Sequence, residues 1–96
     1  MSNYTIRVEL KEQTEKKRIE LLFTMLENGF SRSVVCERGL TYALPTNEFL
    51  YVGNEKIASL MERIVALISG ISEEPSVLVT RSAERSWSGL RVVDLE

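Results

Sequence analysis

Chemistry in this chain has to be built without the commonest tools. There is no histidine and a single cysteine, Cys36. The usual side chain for proton transfer near neutral pH is therefore missing, as are an intrachain disulfide and any cysteine- or histidine-based zinc site. Cys36 follows Val34-Val35 in an apolar run and reads as an inert buried thiol. There is no Walker loop and no dinucleotide glycine motif. What remains is a small constellation on strand-like stretches. Glu9 closes the first strand, Arg7 precedes it by two residues, and Phe49 and Tyr51 stand at i, i+2 in a later strand. A carboxylate at the end of that strand, duplicated across a two-fold axis, could hold Mg²⁺ with its waters against a phosphate, although no cofactor is required. The plainer reading of Glu9 is the wet face of an alternating strand.

The elements that would position these residues follow from periodicity. Over residues 3–11, Tyr4, Ile6, Val8 and Leu10 alternate with Thr5, Arg7, Glu9 and Lys11, a strand with one buried face. Thr14 is the expected N-cap of a helix whose stripe is Ile19, Leu22, Phe23 and Leu26, ending at Gly29. Ser33 to Glu37 is a second strand, with a hairpin turn at Arg38-Gly39. Leu40 to Leu44 reads either as continued pairing or as a loop. Pro45-Thr46-Asn47 turns the chain into a strand at Glu48 to Val52. Asn54 is the expected cap of a second helix with Ile57, Leu60, Met61, Ile64, Leu67 and Ile68 on one face. Ser76 to Thr80 is a fourth strand. Residues 83–96 read as a tail or short extra strand containing Trp87, with Leu95-Glu96 resembling a purification-tag remnant.

The order β-α-β-β-α-β predicts an α+β, ferredoxin-like domain over residues 1–82: a four-stranded antiparallel sheet with two helices on one face and the other face open. If Ile6, Val8, Leu50, Val52, Val77 and Val79 face the helices, parity puts Arg7, Glu9, Phe49, Tyr51 and Leu78 on the open side. Aromatics on such a face stack RNA bases. The competing expectation is that a second protomer, or the tail through Trp87, covers this face. Arg7, Arg32, Arg38, Arg81 and Arg85 lie near strand ends and suit phosphate contacts. Fourteen acidic against twelve basic residues argue against a dedicated duplex-DNA binder. No window approaches a membrane span and the N-terminus shows no signal-peptide pattern, so a cytoplasmic location is expected.

Tyr4, the stretch Met25 to Phe30, Ser33-Val34-Val35, Gly39 and Asn47-Glu48-Phe49 occur in an order that resembles the GhoS family of endoribonuclease antitoxins from type V toxin–antitoxin systems, over about Asn3 to Ile68. That resemblance implies a ferredoxin-like domain, dimerisation and cleavage of single-stranded messenger RNA. It places Glu9 where the related nuclease fold carries an acidic residue at the dimer axis, and matches Phe49 to a family Phe. Glu20 and Leu22 stand where the family has first-helix arginines; Lys17 or Arg18, one turn earlier, would have to substitute. The candidate set is therefore Glu9 for catalysis and Arg7, Lys17, Arg18, Arg32, Arg38, Phe49 and Tyr51 for RNA, in a cytoplasmic homodimer. The alternatives are a non-catalytic RNA- or protein-binding module and a structural homodimer that buries its open face.

Overall fold

A computed structural model describes residues 1–93; Asp94 and the Leu95-Glu96 dipeptide lie outside the described residues. Among the described residues the fold is α+β, with two helices and five strands in antiparallel sheets. The elements are β1 (Ser2–Glu9), α1 (Glu15–Glu27), β2 (Ser33–Val35), β3 (Thr41–Ala43), β4 (Glu48–Gly53), α2 (Ile57–Ser69) and β5 (Ser76–Ser82). β1 is central, flanked by β4 and β5, and β2 and β3 form a separate hairpin. No helix among the described residues is long and apolar enough to cross a membrane.

The expected four-stranded sheet is thus corrected to three strands plus a hairpin. Leu40–Leu44, left open by the sequence, contributes β3. Once β2 pairs with β3, it leaves β4 after a single bridge, Ser31 to Leu50, closed by two backbone bonds of 2.8 Å. The hairpin turn sits at Arg38-Gly39, where Gly39 adopts φ +82 and its amide donates to the Cys36 carbonyl. That conformation is open to glycine at little cost. Asn47, one of the few residue types that tolerate positive φ, takes φ +61 and turns the chain into β4.

Helix α1 is capped by the Thr14 hydroxyl, which accepts from the Lys17 amide. At its other end Phe30 N–H returns to the Met25 carbonyl, with Gly29 at φ +90 between them. The buried residues of α1 are Leu21 and Met25; of the expected stripe of Ile19, Leu22, Phe23 and Leu26, Leu22 packs partly against the core and the other three are exposed. Ile19, Leu21, Leu22, Phe23, Met25 and Leu26 span an arc of roughly 200° at ~100° per residue, so periodicity alone could not choose the inward face within it. Helix α2 follows expectation more closely, burying Leu60, Ile64 and Ile68. It starts three residues after Asn54, which does not cap it; the cap position is Lys56, whose side chain makes no capping bond.

The largest correction concerns β4. Registered antiparallel on β1, it sets Phe49 opposite Ile6 and Tyr51 opposite Tyr4. Directly paired residues share a face, and Tyr4 and Ile6 lie beneath the helices. Phe49 is 1% exposed, and Tyr51 packs against the core, while Val52 is 53% exposed. Phe49 and Tyr51 are therefore not on the open face. The aliphatic pair Leu50 and Val52 was assigned inward, but the bulkier aromatic pair takes the core, and a one-residue change of parity flips every side chain of a strand. The expectations for Arg7, Glu9 and Leu78, all outward and exposed, agree with the structure.

This register can be measured. Phe49→Ala should lower unfolding free energy by about 3–5 kcal/mol, the ordinary cost of emptying a buried aromatic site, whereas Val52→Ala should stay within about 1 kcal/mol. Urea denaturation of both variants checks it; the reverse ranking would mean that β4 is turned over.

Candidate functional site

The residues singled out from sequence are dispersed. Arg7 lies on the open face, 3.9 Å from the Glu48 carboxylate. Arg18 is held by Glu15, three residues earlier on α1, at 2.6 Å; this pair holds the Glu15 carboxyl below its usual range. Lys17 lines a shallow depression with Lys11, Glu12 and Ser72. Arg32 is committed to structure. Its Nη1 donates to the carbonyls of Pro45 and Glu48, both at 2.7 Å, and its guanidinium lies 5.5 Å from the Phe49 ring centre. It staples the β3–β4 turn to the strand below. Glu9 is exposed and registers opposite Ser76. It shares one shallow depression with Arg7 and Leu78 and another with Lys11 and Glu74. Among the described residues no three potential metal ligands cluster.

A larger concavity forms where the sequence was least informative. After β5 the chain crosses the open sheet face as a strap. Arg85 Nη2 donates to the Thr5 hydroxyl at 2.8 Å and the Ser82 hydroxyl at 3.0 Å, anchoring the strap to β1 and β5. The Trp87 ring then stands 5.7 Å from Tyr42, tilted by 56°. Further on, the Ala43 amide donates to the Arg91 carbonyl and the Val93 amide to the Thr41 carbonyl, so Val92 bridges Tyr42 on the outer edge of β3. The tail expected from sequence thus lies against the hairpin, and Trp87 covers part of the open face.

Between hairpin and strap lies an open cleft of about 740 Å³, lined by Cys36, Arg38, Tyr42, Arg85 and Trp87 among others. A second hollow of about 540 Å³ continues along the sheet past Thr5, Leu50 and Thr80, sharing Arg85 and Trp87 with the first. Two aromatic faces and two guanidiniums thus border one concavity. Cys36 is half-buried rather than buried, which corrects the expectation of an enclosed thiol. Burial pushes its thiol up, but hydrogen bonds from the backbone at Arg38 and Leu40, with the charge of Arg38, outweigh this and hold it below the ordinary range. Of the cleft residues, Arg38 and Arg85 are among the arginines that the sequence marks as suited to phosphate contacts. The readable signal for the rest was a lone tryptophan in a serine-rich segment.

A second polar cluster locks the β4–α2 connection. Tyr51 donates its hydroxyl to Glu55 Oε1, and Arg63 Nη2 reaches the same oxygen at 3.0 Å. The Arg63 guanidinium lies 5.2 Å from the Phe30 ring centre and 5.1 Å from that of Tyr51. The Tyr4 hydroxyl donates to the Glu55 backbone carbonyl. Glu55 is the hub of a brace joining β1, β4 and α2.

The chain matches no protein-family model and no curated protein.

The brace has a pH signature. The Tyr51 hydrogen bond, assisted by Arg63, outweighs burial and holds the Glu55 carboxyl below its ordinary range; the same bond raises the Tyr51 hydroxyl. A lowered carboxylate contributes stability above its unfolded pKa of roughly 4.3, and that contribution disappears as pH falls through the lowered folded value. A raised tyrosine contributes below roughly 10 and loses its contribution as pH rises through the raised value. Glu55→Gln should therefore destabilise the protein at neutral pH, and the gap to the unmodified chain should close on acidification. Denaturant midpoints at pH 7 and pH 3 check this; a gap independent of pH would remove Glu55 as the charged hub.

Proposed function

We propose that this chain is a ferredoxin-like module that binds single-stranded RNA without cutting it, through the hairpin–strap cleft. The single observation that carries the reading is the Tyr42–Trp87 pair, bordered by Arg38 and Arg85 in one concavity. Aromatic faces take unstacked bases at roughly 1–3 kcal/mol each, and guanidiniums take the phosphates between them. With a net charge of −2, binding has to depend on this local arrangement rather than on the field of the whole chain.

The ferredoxin-like part of the proposal is supported by the strand neighbours. The Ser31–Leu50 bridge brings the start of β2 beside β4, which extends β5-β1-β4 by one position, with β3 added outside it. The resemblance to GhoS antitoxins supports the fold more than the activity. Tyr4, Met25, Phe30, Val34 and Phe49, which carry much of it, are all buried. Residues shared for packing say little about cleavage. The competing endoribonuclease rests on Glu9, which lies four residues beyond Thr5 on β1, roughly 13 Å along the strand from the anchor of the strap.

Trp87 is the only tryptophan, so its fluorescence reports directly on the cleft. Single-stranded RNA should quench it, and Trp87→Ala should weaken binding by about tenfold, the loss of one stacking contact. Trp87→Phe should retain most of the affinity. Arg38→Ala should weaken binding and flatten its dependence on salt. Fluorescence anisotropy with labelled RNA measures all three. Affinity untouched by both Trp87→Ala and Arg38→Ala would end the cleft reading. RNA cleavage lost in Glu9→Gln would replace it with the antitoxin-type nuclease.

A further inference from the structure

Helix α1 carries apolar residues where an isolated domain would place charge. Leu21 and Met25 face the core. Ile19, Phe23 and Leu26 lie on the opposite side, within an arc of roughly 60° at the ~100° per residue of an α-helix. They are 40%, 57% and 43% exposed. Together with Leu21, Leu22 and Met25 they make an apolar arc of roughly 200° at ~100° per residue, wider than the part that the sheet and α2 cover. The stripe is also charged asymmetrically along its length. Lys16 flanks it near the helix start and Glu27 at its end, on the same side. Both are exposed, and neither makes an ion pair among the described residues.

We propose that α1 docks against α1 of a second copy of this chain, antiparallel, about a two-fold axis near residue 21. That arrangement is self-complementary. Ile19 of each copy meets Phe23 of the other, Leu26 lies along the methylene stem of Lys16, and the Lys16 ammonium faces the Glu27 carboxylate. Two-fold symmetry makes each contact occur twice. In a parallel pairing the two-fold would run along the helices and put each flank on the opposite edge from its copy, with Lys16 and Glu27 at opposite ends, so only the antiparallel form brings these charges together. Glu20 lies on the same flank near the axis and meets its own copy, a built-in repulsion. One helix a side offers less than the roughly 800 Å² per partner of a standard interface, so the dimer is concentration-dependent. The docking surface is on the helical side, leaving the sheet face and the hairpin–strap cleft open; the inference stands independently of the RNA reading.

Sedimentation velocity of the full chain from about 10 μM to about 1 mM tests it, a range that spans weak association. The unmodified chain should shift from monomer toward dimer across that range. Phe23→Glu should remain monomeric with unchanged helix content and melting temperature. Lys16→Glu and Glu27→Lys should each weaken association several-fold, while both substitutions favour α1 itself through its macrodipole. An equimolar mixture of the two should recover association, because each mixed pair then joins opposite charges at both ends. Glu20→Ala should tighten the dimer. The proposal is overturned if the unmodified chain stays monomeric at about 1 mM, or if Phe23→Glu dimerises like it. A mixture associating no better than either variant alone overturns it too. So does a dimer broken by Leu78→Glu on the sheet face and not by Phe23→Glu.

Discussion

One row of side chains across the sheet decides the rest of the structure: Phe49, Ile6 and Val79, carried by β4, β1 and β5 in register. All three are buried, and Ile6 is wholly inaccessible. Because side chains alternate along a strand, seating this row in the core determines the face of every other residue in the sheet. Tyr4 and Tyr51 form the neighbouring row, and Phe30 returns from α1 to lie 5.0 Å from Tyr51. The open face is left with Thr5, Arg7, Glu48, Leu50, Leu78 and Thr80, a mixed surface with no aromatic side chain. That is why recognition through stacked bases has to be sought elsewhere in this molecule.

The place it moves to is created by two segments that are far apart in sequence. The hairpin β2–β3 supplies Arg38 and Tyr42, and the strap after β5 supplies Arg85 and Trp87. The strap is held at both ends, by hydroxyls of β1 and β5 under Arg85 and by backbone pairing along β3. Its central residues are therefore constrained without belonging to a sheet. An aromatic side chain carried on such a tethered segment keeps a defined position yet exposes part of its ring, which is what a stacking platform requires.

The arginines show how little a count of cations says about binding. Arg32 is occupied by two backbone carbonyls and an aromatic ring, and Arg63 by two rings and a carboxylate. Arg18 is paired within its own helix. Planar guanidiniums are suited to this use, because they stack and donate in fixed directions at once. Each of these contacts stabilises a junction: the β3–β4 turn, the β4–α2 connection, the start of α1. Only Arg38 and Arg85 border the cleft, and Arg85 also anchors the strap.

Local patterns in the chain determined the strands β1 and β5, the inward face of α2, the Thr14 cap, the glycine at the end of α1 and the turns at Arg38-Gly39 and Asn47. Each of these depends on residues within a few positions of one another, and their periodicity or backbone preference carries the answer. Tertiary structure decided three things. The aromatic rather than the aliphatic side of β4 entered the core, because both sides are apolar and only the partner residues on β1 distinguish them. The inward face of α1 became Leu21 and Met25, because its apolar arc is wider than the face that packs and has no preferred centre until a sheet is laid against it. Trp87 met Tyr42 because a segment 45 residues downstream paired with the edge of the hairpin. In each case several local answers were nearly equal in energy, and contacts distant in sequence selected among them.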